Sequence, residues 1–261
     1  MHLSTQVAEV YEEFFVPALF GAWPKRVIAA ANVAPGQHLL DVACGTGILA
    51  RAAIPVVGEA GTVTGLDLND GMLAVARREA PAIAWHQGHA EELPFDDHTF
   101  DVVASQFALM FFADRLRAVQ EMMRVLRPGG TLAIAVWDTL ENTPGYAAVV
   151  DLLVRLFGDE VADGLRAPFC LGGTQLLRGL LEEAGVPNAH IQTQEGTARF
   201  PSIAAWLHTE VKGWVLADVL DDQQFTQLSA AAEQELQPFV IADGSVAFPA
   251  PAHIIIAVKA A

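Results

Sequence analysis

The stretch "LLDVACGTGILA", residues 39–50, narrows what this chain can fold into more than any other. An apolar run ends in a glycine turn and passes without a linker into a helix-like segment, which is how parallel α/β sheets open a pocket at a strand's carboxyl end. Gly45, Gly47 and Ala50 satisfy the GxGxxA spacing of a dinucleotide-binding turn. Asp67 lies about 20 residues further on, where a ribose-binding carboxylate belongs. Asp41, however, stands at the end of the strand before the turn, and no Lys or Arg occurs within 39–50. That charge repels a pyrophosphate and suits a ligand bearing an ammonium group.

Strand-like and helix-like runs alternate through the first half, the rhythm of a parallel sheet with crossover helices. The expected strands are 38–43, 62–67, 83–87, 101–106 and 131–137. Between the last two, residues 114–126 place Leu116, Val119, Met122, Met123 and Leu126 at helical spacing as a core-facing stripe, and "RPGG" at 127–130 is expected to stop the helix. Residues 138–188 read as helical with breaks at Pro144, Gly172 and Gly173, followed by a strand near 189–197. Residues 199–249 read as helical again, and "HIIIAVK" at 253–259 reads as a last, well-buried strand. The expected division is an N-terminal helical lid over 1–30 and a domain over 31–261 with helical cap insertions near 138–188 and 199–249, set over the ligand edge of the sheet. Within the lid, Tyr11, Phe14, Phe15, Leu19, Phe20 and Trp23 give an aromatic face on a helix expected to be interrupted at Pro17.

Charge and composition remove several classes of function. The chain carries 31 acidic and 15 basic side chains, a formal charge of −16. Such a surface disfavours the phosphate backbone of nucleic acid, so no nucleic-acid partner is expected. Cys44 and Cys170 are too few for a disulfide framework and lack the spacing of a zinc site, so no metal is expected. No apolar run is long enough to span a bilayer and the first residues lack a signal-peptide pattern, so a cytoplasmic protein with no membrane partner is expected.

Residues 41–47 read D-x-A-x-G-x-G, which resembles motif I of the class I S-adenosylmethionine-dependent methyltransferases. "VTGLDLNDGMLAVARR" (63–78) is similar to that family's second strand and helix, and "GHAEELPFDDHTFDVVASQFALMFF" (88–112) with "EMMRVLRPGG" (121–130) is similar to later segments of its ubiquinone/menaquinone methyltransferase-like branch. The resemblance spans about residues 35 to 137. It implies a Rossmann-like class I methyltransferase sheet, mostly parallel with the last strand antiparallel, with helices on both faces and a helical cap. It also implies S-adenosyl-L-methionine as cofactor. By carry-over, Asp67 bonds the ribose hydroxyls, Leu68 packs on adenine and Met72 lies near the adenosine. The adenine edge meets Ala90 with Glu91 beside it. The methionine amino group meets Asp41 and the carbonyls of Ala43 and Gln106, above the turn Gly45–Thr46–Gly47. The chain departs from the family pattern at two points: Ala43 replaces a common glycine, and His89 stands where an aspartate usually accepts the adenine amino proton. Neutral imidazole can accept that bond and the protonated ring cannot, so adenine recognition is expected to weaken as pH falls.

The acceptor is less legible. Methyl transfer needs an in-line lone pair, which positioning alone can supply, and no residue is committed as a base by its sequence context. His208, in the helix-like "SIAAWLHTEVKGW", is the one catalytic candidate, and Cys44 reads as a small buried filler. Trp137 is expected to border the acceptor pocket. Phe157, Phe169, Trp206, Trp214, Phe225 and Phe239 favour a small or medium organic acceptor, whereas "SQFALM" stands where an NPPY-type tetrapeptide would mark amide or adenine methylation. Two rival readings remain: a catalytically silent S-adenosylmethionine-binding protein, and an NAD-dependent oxidoreductase. A homodimer is one open assembly.

Overall fold

A computed structural model of the chain describes residues 5–213 and 219–260. Trp214 and the first four residues of the expected lid lie outside the described residues. The chain opens with α1 (Thr5–Val10), continues as a π-helix (Tyr11–Phe20), and then forms α2 (Pro24–Ala30). There follow β1 (His38–Val42), α3 (Ile48–Val57), β2 (Thr62–Asp67), α4 (Asp70–Glu79), β3 (Ala84–Gln87), β4 (Phe100–Gln106), α5 (Arg115–Val125) and β5 (Leu126–Trp137). After them come α6 (Pro144–Phe157), α7 (Asp159–Arg166), α8 (Thr174–Glu183), β6 (His190–Gln194), β7 (Thr197–Phe200), α9 (Ile203–Gly213), α10 (Asp222–Glu235), β8 (Val246–Pro249) and β9 (Ala252–Val258).

Seven strands form one sheet in the order β3-β2-β1-β4-β5-β9-β6. β1 to β5 run parallel and β9 is antiparallel to both its neighbours. The chain reverses its direction of travel across the sheet between β1 and β4, so the carboxyl ends of these two strands flank the crevice where such sheets bind ligands. Leu39, Leu40 and Val42 of β1 are fully buried, as are Ile254 and Ile255 of β9. Continuous apolar runs suit strands covered on both faces. α5 buries Ala118, Val119, Met122 and Val125, and the Asp114 side chain caps it by accepting from Arg117 N. The Val119 and Met122 stripe is therefore core.

Three local expectations are corrected. The N-terminal helix is not interrupted at Pro17 but runs through it in wide register, closing with Gly21 N donating to Val16 O at 2.7 Å. Proline lacks the N–H that an α-helical turn would use and crowds the carbonyl four residues back, and the wider winding relieves both. "RPGG" stops α5 but belongs to β5: pairing with β4 jumps from Phe100↔Leu126 to Val102↔Thr131, so these residues bulge from the ladder, with Gly129 at φ +78. Residues 199–249 are not all helical, because β7 and β8 pair antiparallel at their ends. β7 alternates exposed and buried residues and inserts Ala198 and Phe200 into the core, but four residues are too few for a period to show in the sequence.

The glycine turn has a neighbour far away in sequence. A Cβ on Gly65 would lie 2.3 Å from two ring atoms of Trp85, and one on Gly47 would lie 2.3 Å from the same ring. The indole is pinned by its Nε1, which donates to Ala80 O at 3.0 Å, so it has no easy retreat. Gly65→Ala is expected to cost about 2–3 kcal/mol by overpacking. In a Trp85→Ala background the same change should cost less than about 1 kcal/mol. Urea unfolding of the four proteins of this cycle measures the coupling, and additive effects would exclude the ring as the cause.

Candidate active site

β1 delivers Asp41 to the crevice and the chain then turns sharply. Ala43, Gly45 and Gly47 all take left-handed φ, at 56°, 55° and 84°. Glycine does this freely, whereas at Ala43 it costs roughly 1–2 kcal/mol. The turn is held from β2: Asp67 Oδ2 accepts from Gly45 N and Oδ1 from Asn69 N, each at 2.8 Å. Asn69 in turn caps α4 by accepting from Met72 N at 3.2 Å. Asp41 Oδ2 accepts from Ala50 N at 3.0 Å in the first turn of α3.

These residues open into a cavity of about 410 Å³. Asp41, Ala43, Gly45, Asp67, Leu68, Met72 and Gln106 from the expected site all line it, joined by Tyr11, Phe107 and Phe111. Thr46 and Gly47 belong to the turn but not to the wall: Thr46 is fully buried and Gly47 faces Trp85. His89, Ala90 and Glu91 also lie outside the wall. His89 is exposed and Ala90 is buried, while Glu91 Oε1 accepts from Ala113 N at 3.1 Å and so anchors the approach to α5.

Among the described residues no Lys or Arg lines this cavity, and its acids respond accordingly. Burial pushes the Asp41 carboxyl up to about 8, against the Ala50 hydrogen bond, with Asp67 raising it further. Burial also raises Asp67, against the backbone N–H groups it holds. The Cys44 thiol is raised by burial and by the two aspartates, which makes it a poor nucleophile and agrees with a filler role. Gln106 Oε1 is buried and accepts no hydrogen bond among the described residues. Two desolvated carboxyls and an unmet amide oxygen suit a cationic, hydrogen-bond-donating ligand, and they fit S-adenosylmethionine, whose ammonium and sulfonium are positive and whose ribose hydroxyls donate.

A smaller chamber of about 40 Å³ adjoins the first and shares Tyr11, Phe107 and Phe111 with it. Its walls include Phe20, Trp137, Tyr146 and Phe169. Phe107, itself at φ 56, stacks on Trp137 with centroids 3.8 Å apart and planes 9° from parallel. Trp137 thus lines the small chamber. His208 lines neither cavity: it is exposed on α9, edge-on to Phe14. Two residues on, Glu210 is 2% exposed and lines the chamber. An acid carries no sequence signature of its own there, whereas a histidine does. The signal for Glu210 was position, since Ile203, Trp206, Leu207 and Val211 make a buried stripe and Glu210 falls on it. Phe157, Phe225 and Phe239 pack against the core and Trp206 is fully buried, so these four serve the fold, not the chamber wall.

A strand-turn-helix pocket at the switch point of this sheet, acidic and free of cations, is that of a class I methyltransferase. The Methyltransf_11 family model, a methyltransferase domain, matches residues 40–134. A demethylmenaquinone methyltransferase of Bacillus mycoides is 33% identical over 188 residues, 66% of this chain and 78% of that protein. Among solved structures, a methyltransferase-like protein of Bacillus halodurans superposes with a TM-score of 0.64 at 23% identity, over 92% of this chain and 100% of the other. Phosphoethanolamine N-methyltransferase 2 of Haemonchus contortus, in complex with S-adenosyl-L-methionine, gives a TM-score of 0.61 at 20% identity, over 99% of this chain and 58% of the other. The chain belongs to the S-adenosylmethionine-dependent methyltransferases.

The Asp41 shift has a consequence for stability. An acid whose pKa rises from 3.8 to about 8 on folding binds more proton in the folded than in the unfolded state across that window. Stability therefore falls as pH rises from about 4 to about 8. Asp41→Asn removes this dependence, so the variant's Tm should gain on the wild type by several degrees, on the order of 5 °C, between pH 5 and pH 9. A constant Tm difference across the range, read by scanning calorimetry on the ligand-free protein, would contradict it.

Proposed function

We propose that this methyltransferase acts on a small or medium organic acceptor bound where the two cavities meet. The observation that carries the reading is the junction at Tyr11, Phe107 and Phe111 between an acidic, cation-free cavity and an aromatic chamber. S-adenosylmethionine, when bound, supplies an electrophilic methyl group. Asp67, already holding Gly45 N and Asn69 N, offers its remaining lone pairs to the ribose hydroxyls. Asp41 and Gln106 Oε1 take the ammonium, and the left-handed backbone at Ala43 and Gly45 lets the ligand approach closely. Leu68 and Met72 give apolar cover to the adenosine.

The N-terminal helix is the lid in this reading. Tyr11 lines both cavities, and Glu12 pairs with Arg51 of α3 at 2.5 Å, which fastens the helix beside the glycine turn. Burial keeps the Tyr11 phenol neutral, with Glu12, Asp67 and Asp41 reinforcing this, so it closes the site without adding charge. Excluding water strengthens every electrostatic contact inside and protects the reactive group. Aromatic walls suit a planar ring, and the curated relative is named for a quinone. No helix among the described residues is long and apolar enough to cross a membrane, which is compatible with the cytoplasmic setting we favour.

Calorimetric titration with S-adenosylmethionine, S-adenosylhomocysteine and NAD⁺ tests the cofactor site. Both sulfur nucleotides should bind and NAD⁺ should not, and Asp67→Ala should weaken binding by at least about tenfold. Preferential binding of NAD⁺ would overturn the reading of Asp41 and Asp67. Release of S-adenosylhomocysteine in the presence of a panel of hydroxylated and quinone-type rings would separate an enzyme from a silent binder.

A further inference from the structure

A buried acid with no cation beside it among the described residues sits in the wall of the aromatic chamber. Glu210 is 2% exposed and Tyr146 4%, and the Tyr146 hydroxyl donates to Glu210 Oε1 at 2.5 Å. Among the described residues, no Lys, Arg or His forms an ion pair with Glu210. Burying a carboxylate with so little compensation costs stability, and an apolar residue would continue the α9 stripe of Ile203, Trp206, Leu207 and Val211 without that cost. The fold does not ask for an acid there. The chamber does, since among the described residues Glu210 is its single ionisable carboxyl and its remaining walls are largely aromatic.

We propose that Glu210, oriented by Tyr146, receives the proton of an acceptor whose nucleophile is a ring hydroxyl, a phenol or an enol whose ring rests at the junction of the two cavities and whose O–H reaches into the chamber. The proposal rests on the methyltransferase reading of the adjoining cavity. Three features select this acceptor class. Flat rings match the walls, where Phe107 and Trp137 already stack on each other. Among the described residues neither cavity has a Lys or Arg in its lining to hold a carboxylate or a phosphate. A cationic amine would lie close to the cofactor's own positive charge in a low-dielectric space, which disfavours it. Tyr146 shows that a phenolic O–H fits against this carboxylate. Burial, opposed by the Tyr146 hydroxyl and by the neighbouring Trp206 indole, pushes the Glu210 carboxyl up to about 7, which suits a group that must take a proton and later release it.

The acceptor O–H bond breaks as its proton passes to a carboxylate oxygen of Glu210. The electron pair left on the ring oxygen forms the new bond to the methyl carbon, and sulfur keeps the pair of the bond it loses. Glu210 then gives the proton to water as product leaves.

The test compares binding of 2-naphthol with that of 2-methoxynaphthalene, at about pH 8, where the carboxyl is mostly ionised. Wild type should prefer the naphthol by about tenfold, with a red shift of its absorption on binding. Glu210→Gln should lose both the preference and the shift. Tyr146→Phe, which frees Glu210 from its internal partner, should strengthen both. Glu210→Gln should keep its affinity for S-adenosylhomocysteine, because Glu210 does not line the cofactor cavity, and this shows that the variant is folded. Equal binding of the two naphthalenes to wild type, a preference retained in Glu210→Gln, or one unchanged in Tyr146→Phe would each overturn the assignment. Failure of wild type to bind S-adenosylhomocysteine, with the naphthol preference intact, would sink the cofactor reading and leave Glu210 in its role.

Discussion

The Asp67 carboxylate organises the carboxyl edge of this sheet. Its two oxygens hold Gly45 N and Asn69 N at 2.8 Å, tying the turn after β1 to the turn after β2. One acceptor group thereby fixes two adjacent loops on the β1 side of the crevice before any ligand arrives. The turn needs such a hold, because left-handed backbone at Ala43 is unfavourable and persists only where the surroundings over-determine it. Phe107, at the end of β4, repeats the device across the crevice: it too is left-handed, and the stack on Trp137 holds it there. Strain at the ends of β1 and β4 is thus paired with a specific restraint in each case, and both strained residues face the cavity.

The same turn depends on Trp85, whose ring occupies the space a side chain at Gly47 or Gly65 would need. Gly45 and Gly47 therefore have different reasons to be glycine. Gly45 meets nothing within 4 Å and is constrained by its φ alone, while Gly47 is constrained by φ and by the indole. A motif read from sequence treats the two as equivalent, but only one of them faces the ligand space.

This difference marks what was legible in the sequence. Asp41, Gly45 and Asp67 were readable because strand ends and tight turns impose residue types at fixed spacing, and the long apolar runs of β1 and β9 announce strands buried on both faces. The π-wound helix through Pro17 was not readable, since local rules predict a break at a proline and do not say that the helix will widen around it and keep Phe15, Leu19 and Phe20 buried. β7 and β8 were hidden by their length, because each has four residues and gains its place from the partner. The segment 88–92 matched by pattern, yet Glu91 spends its carboxylate on the backbone before α5. Pattern alone does not say toward which neighbour a side chain turns.

Helix α9 shows the point most sharply. His208 drew notice because imidazole is the usual proton carrier near neutral pH. Helical geometry puts residues two apart on nearly opposite faces, so if one of His208 and Glu210 meets solvent the other meets the interior. The buried stripe of Ile203, Trp206, Leu207 and Val211 decides which, and it puts the acid inside. Burial then gives that acid a proton affinity near neutrality, the property for which the histidine was favoured. Desolvation does the same to Asp41 in the neighbouring cavity, and with no cation in either wall the two spaces share one electrostatic rule: positive charge on the cofactor side, and on the acceptor side a neutral group with a proton to give.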